Sequence, residues 1–116
     1  MHKRTKQCQF SQATKKKIAE RDQVCVFCKL GYSTEGADSL ELQIKDPMHI
    51  INKSQGGLGK IQNGALGCRY HHHLLDNGNK GLRQQMEYDL KEYIKSLYPD
   101  WTEESVTFDK WTKIKI

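Results

Sequence analysis

The sequence predicts a small α+β domain closed by a metal knuckle, with an N-terminal helix and a long C-terminal helix on its flanks. Three observations predict it. Leu40, Leu42 and Ile44 alternate with Glu41, Gln43 and Lys45, the period of a half-buried strand. Cys25-x-x-Cys28 and Cys68-x-x-His71 are two pairs of metal-ligating side chains. Leu82, Met86, Leu90, Tyr93, Ile94 and Leu97 fall on one helical stripe that stops before Pro99.

A chain of 116 residues with no internal repeat reads as one domain over 1–116. Its hydrophobic fraction is 36 %, low enough that area burial alone leaves a domain of this size marginal, so an additional staple is expected. A formal charge of +5 favours an acidic partner such as nucleic acid, although ordinary soluble proteins also carry such an excess. The basic start, Met1 to Lys6, is followed by no apolar signal region, and no apolar run reaches membrane-spanning length, so a cytoplasmic location is expected. In a reducing compartment the four cysteines read as metal ligands or free thiols rather than disulfides.

In chain order, residues 1–10 read as a loose basic arm. Ser11 is an N-cap for a helix over Gln12 to Arg21, with Ile18 and Ala19 inward and Lys15, Lys16 and Lys17 on a solvated face. Val24 to Cys28 is a β-prone strip that turns at its second cysteine, and Lys29 to Asp38 is a loop. The strand-period run from Leu40 is interrupted at Asp46-Pro47 and resumes over Met48 to Ile51. Asn52 to Gly59 is a glycine-rich turn. Tyr70 to Asp76 is a short helix closed by Asn77-Gly78. The core falls within 21–78, the long helix and tail within 80–116, and Trp101 to Ile116 reads as a loop and an edge strand without chemistry.

The two ligand pairs have the spacing at which both side chains of one knuckle reach a single ion. Thiolates and imidazole suit Zn²⁺, and a site whose four positions are all filled by Cys25, Cys28, Cys68 and His71 is structural, because no position is left for a reacting water. Zinc bound there would be the missing staple. Cys8 lies outside both pairs and reads as a free thiol.

A second group follows from order and spacing. His49 lies in the strand-like run, Asn63 follows the glycine-rich turn, and His72 and Asp76 sit four apart on one helical face, where an imidazole and a carboxylate suit a divalent ion with open positions. With Ser54-Gln55-Gly56-Gly57 and the Cys68-x-x-His71-His72-x-x-x-Asp76 run, the segment from about Arg21 to Gly78 resembles the HNH endonucleases, especially their phage-encoded zinc-knuckle branch.

The resemblance implies a ββα-metal, treble-clef-like fold. It implies His49 as the catalytic histidine, Asn63 as the residue that ties the loop and orients it, and His72 and Asp76 as ligands of a catalytic Mg²⁺ or Mn²⁺. His71 stands where many members have a second cysteine, an exchange zinc tolerates. Met48 stands where many have Asp or His as a metal ligand. A thioether binds Mg²⁺ poorly, so water, substrate phosphate or Asp46 takes that place.

The implied activity is hydrolysis of phosphodiester bonds in double-stranded DNA, by nicking or double-strand cleavage. Lys53, Lys60, Arg69 and Lys80 are candidate phosphate contacts, and each is also explicable as a solubilising charge. Phage-type genome processing beside packaging proteins such as a terminase is the implied setting, while restriction, homing and defence proteins use the same unit. The alternative is a catalytically inactive, zinc-stabilised nucleic-acid-binding module. RNA as the substrate stays open.

Overall fold

The computed structural model describes residues 7–77 and 81–108. Helix α1 (Gln12–Asp22) starts where the Ser11 hydroxyl accepts the Thr14 N–H at 3.1 Å. Ile18 is buried as expected, but Ala19 is exposed, since the inward face of this helix runs through Ile18 and Asp22. The expected β-strip at Val24 to Cys28 is instead a turn of helix, α2 (Val26–Lys29). Cys25 caps it, its Sγ accepting the Cys28 N–H at 3.4 Å, and this tight turn sends Val26 and Phe27 into the core.

The alternating run at residues 40–45 is also helical at its start. Asp38 and Glu41 form a reciprocal capping box that opens α3 (Ser39–Gln43), so local capping overrides the strand period and leaves Leu40 at 64 % exposure. The strand begins later, as β1 (Lys45–His49), and runs through Pro47 instead of breaking there. It pairs antiparallel with β2 (Gly64–Cys68), Lys45 opposite Cys68 and His49 opposite Gly64. Ladder bonds from Arg69 N–H to Ile44 and from Ile50 N–H to Asn63 fix the alternation. That alternation puts Pro47 in a non-bonded pair, where its missing N–H costs the ladder nothing.

Helix α4 (Arg69–Asn77) follows β2 directly, one residue longer at each end than expected. Helix α5 (Arg83–Leu97) buries Met86, Leu90 and Ile94 on its stripe. Leu97, on the expected stripe, is exposed. The result is an α+β arrangement: a two-stranded sheet, a helix packed after it, and one core cluster drawn from Cys25 through Val106. No helix among the described residues is long and apolar enough to cross a membrane.

Two ends of the chain differ from expectation. Residues 7–10 are docked, not loose: Cys8 is buried, and the Gly59 N–H donates to the Gln7 carbonyl at 2.9 Å. Met1 to Lys6 lie outside the described residues, as do Gly78, Lys80 and the expected edge strand around Trp111. Trp101 is buried and its Nε1–H donates to the Gln62 carbonyl, while Gly57 bridges to Thr107.

One polar knot ties α1, β2 and α5. Asp22, buried, accepts from the Arg21 guanidinium at 2.7 and 2.9 Å, from the Leu66 N–H at 2.8 Å and from the Tyr93 hydroxyl. Arg21 also donates to the Ile61 and Gly64 carbonyls at 2.8 and 2.6 Å. Without it the Leu66 N–H, the Tyr93 hydroxyl and the Arg21 Nε–H would lose their partner. Asp22→Ala is therefore expected to cost about 3–5 kcal/mol, read from urea unfolding midpoints, and a loss under about 1 kcal/mol would show the knot to be dispensable.

Candidate functional site

The knuckle residues converge. Cys25 and Cys28 come from the α2 turn, Cys68 ends β2, and His71 lies one turn into α4. Their ligand atoms all lie within 4.8 Å of one another, close enough to hold a metal such as zinc. The His71 Nδ1 is 3.6, 3.5 and 3.3 Å from the sulfurs of Cys25, Cys28 and Cys68, and the Cys28 and Cys68 sulfurs are 3.9 Å apart. A tetrahedron with ordinary Zn–S and Zn–N bonds has edges of about 3.6 Å between sulfur and nitrogen and about 3.8 Å between sulfurs. The fit is close on every quoted edge. The His71 Nε2–H donates to the Ser33 carbonyl at 2.9 Å, which leaves Nδ1 as the ligating lone pair.

The electrostatics lead the same way. Burial works to raise the Cys25 thiol, but hydrogen bonds from His71 and from the Cys68 and Cys28 amides outweigh it and hold it at about 6. Burial and the neighbouring Cys25 thiolate then push Cys28 up to about 12, and Cys68 is raised mainly by burial. One thiolate suppresses the next, and a cation among them would favour all three in the ionised, ligating form.

Outside this cluster, on the side of α4 away from the core, an open polar cleft of about 950 Å³ is lined by Asp46, His49, His72 and Asp76, and by the basic Lys15, Lys53 and Arg69. His49, Lys53, Arg69, His72, Asp76 and Asp46 thus line one cavity. Lys60 does not: it lies by the groove at the end of α5, its ammonium 3.5 Å from the Ser105 carbonyl. Lys80 lies outside the described residues.

The three candidate ligands of a catalytic ion do not converge on one point. The His72 ring stands between two carboxylates, Nδ1 at 3.2 Å from Asp46 and Nε2 at 3.2 Å from Asp76. Among the described residues, only the Cys/His cluster brings three or more such ligand atoms together. Two nitrogens on opposite sides of one ring cannot serve one ion, so this cleft offers His72 with one carboxylate at a time. Asp46 is also paired with Arg69 at 3.1 Å; burial works to raise its carboxyl, but the Arg69 and His72 contacts outweigh it and hold it below the ordinary value. Met48 is buried and packs across Gly67, where a Cβ would come 2.3 Å from its sulfur, so it fills core and contributes nothing to the cleft.

His49 has a defined setting. Its Nε2–H donates to the Cys8 carbonyl at 2.6 Å, which makes Nδ1 the unprotonated nitrogen. The Phe10 ring stacks on it with centroids 4.1 Å apart. Burial, with Lys53 and His72 nearby, lowers its pKa from the ordinary 6.5, so it is neutral at physiological pH. Asn63 is fully buried and ties the loop: its Oδ1 accepts the Ile51 N–H at 2.8 Å, and its Nδ2 donates to the Ile51 and Leu58 carbonyls at 3.1 and 2.9 Å. Its side-chain hydrogen bonds go to Ile51 and Leu58 and not to His49.

Sequence reasoning missed Phe10 and Lys15, which line the cleft from a segment read as a loose arm and a helix face read as solvated, and Cys8, whose carbonyl holds His49. No local signal marked the segment before Ser11, because its docking uses room left at Gly59 and Gly64. No family model matches the chain, and no curated protein or solved structure matches it.

Proposed function

We propose that the protein is a metal-dependent endonuclease of the HNH kind that hydrolyses phosphodiester bonds of double-stranded DNA, with a structural zinc on Cys25, Cys28, Cys68 and His71. The observation that carries this reading is the cleft: a neutral imidazole with a fixed tautomer, an imidazole–carboxylate pair and three basic side chains share one open polar cavity. The chain order of β1, β2 and α4, with His49 at the end of the first strand and His72 and Asp76 on the helix, supports the ββα reading.

His49 accepts a proton at Nδ1 from water as that water attacks phosphorus. Lys15, Lys53 and Arg69 hold the phosphate backbone, which gives affinity with little sequence preference. His72, with Asp76 or Asp46, would hold Mg²⁺ or Mn²⁺, which when bound supplies Lewis-acid charge for a phosphate oxygen and the leaving 3′ oxygen. The products are a 5′ phosphate and a 3′ hydroxyl.

Supercoiled plasmid incubated with the protein and Mg²⁺ or Mn²⁺ is expected to become open circles, and EDTA to stop the conversion. The second reading, a nucleic-acid-binding module without catalysis, draws on the closed Asp46–His72–Asp76 and Arg69–Asp46 bonds. Salt-dependent plasmid binding without nicking in any of these metals would establish it in place of the nuclease.

The acidity of His49 sets the pH profile. Because its pKa is lowered, the base form persists as pH falls past the ordinary imidazole value of 6.5, and is lost only below it. The acid limb of kcat/KM is thus expected below pH 6.5, and a limb centred above neutrality would exclude His49 as the base.

A further inference from the structure

We infer that Phe10 is a positioning residue for the reaction, and that the strap Gln7 to Phe10 is a working part of the site. The inference rests on the reading of His49 as the base and extends it to a segment outside the ββα unit. Two contacts from the strap reach the imidazole: the Cys8 carbonyl takes the Nε2–H at 2.6 Å, and the Phe10 ring covers its face at a 30° interplanar angle. The carbonyl chooses the tautomer. The ring removes the rotation about χ2 that would turn Nδ1 away from the cleft.

The body of the domain is shaped to receive this strap. Gly59 donates its N–H to the Gln7 carbonyl, and a Cβ on Gly59 would come 2.1 Å from the Gln9 carbonyl oxygen. Gly64 is the cross-strand partner of His49, and a Cβ there would come 3.0 Å from Phe10 Cζ and 2.3 Å from Ile18 Cδ1. Both glycines leave room that the strap occupies. Phe10 is partly buried, packed on the His49 imidazole and beside Gly64, so melting curves are needed to separate lost packing from the lost imidazole contact.

The test uses the full chain as parent, Phe10→Ala, Phe10→Tyr and Gly59→Ala, with metal content and melting curves recorded for each. Nitrogen-15 NMR at about pH 8 reads the neutral tautomer of His49, its signals assigned by their loss in His49→Gln. The parent and Phe10→Tyr are expected to show a single Nε2–H tautomer. Phe10→Ala and Gly59→Ala, which disturb the strap from opposite sides, are expected to show both tautomers.

In plasmid nicking the same two variants should lose about 10- to 100-fold in kcat, the scale of a catalytic group displaced by about an ångström. Their KM should stay within about twofold, because phosphate binding is untouched. Parent-like tautomer and kcat in both Phe10→Ala and Gly59→Ala would overturn the inference. A parent that does not nick would remove the nuclease reading, and the tautomer spectra would then decide alone whether the strap governs His49.

Discussion

His49→Ala should leave a protein that folds, keeps its Cys/His metal and binds DNA, yet nicks plasmid about 100- to 10,000-fold more slowly than the parent. The side chain is half-buried on β1 and the knuckle lies across the sheet end from it, so its loss disturbs neither the metal cluster nor the Asp22 knot. What it removes is an imidazole that lines the cleft. His49→Gln sharpens the experiment, because the amide can still donate to the Cys8 carbonyl while offering no proton acceptor of comparable basicity. Metal content, melting temperature and gel-based nicking rates measured on the same preparations separate the possibilities. Undiminished cleavage by both variants would remove His49 from the mechanism, and loss of fold together with activity would assign it a structural role instead.

Asp76→Ala tests the other side of the same cleft. Its carboxylate is 3.2 Å from His72 Nε2 and more than half exposed, so the substitution should leave melting unchanged. If His72 and Asp76 hold the catalytic ion, the Mg²⁺ concentration needed for half-maximal nicking should rise by about 10-fold or more. An unchanged requirement would direct attention to Asp46, which sits on the other nitrogen of the same ring.

What the sequence made legible was whatever rests on short, repeating spacing. The two x-x ligand pairs, the face shared by His72 and Asp76, and the Met86–Leu90–Ile94 stripe are each fixed by one helical turn or one knuckle, and each is found as expected. The alternation at Leu40 to Lys45 misled because so short an amphipathic stretch satisfies either period, and the Asp38–Glu41 capping box decided between them. The strap was illegible for a different reason. Its docking depends on the absence of side chains at Gly59 and Gly64, about fifty residues along the chain, and no local pattern announces room made elsewhere. The Asp22 knot is the same kind of case, since a carboxylate at a helix end reads as solvated until Tyr93 and the Leu66 amide are folded against it.

Removing the metal from the Cys/His cluster should unfold the protein and abolish the cleft with it. Binding at a structural zinc site is worth about 10–16 kcal/mol, comparable to or above the whole stability of about 5–15 kcal/mol that a domain has. The helix that carries His71 into the cluster presents His72, the next residue, to the cleft, so loss of the cluster takes the cleft with it. Cys25→Ser and Cys68→Ser keep the shape of the side chain and remove a soft ligand, which isolates coordination from packing. Both are expected to purify with about one equivalent less zinc and to lose the cooperative thermal transition, and a strong chelator should reproduce the effect in the parent. Re-addition of Zn²⁺ to the chelated parent should restore the transition, and with it nicking. Serine variants that melted within a few degrees of the parent, with no metal bound in either, would mean that the four side chains pack as buried polar groups and that the fold closes without an ion.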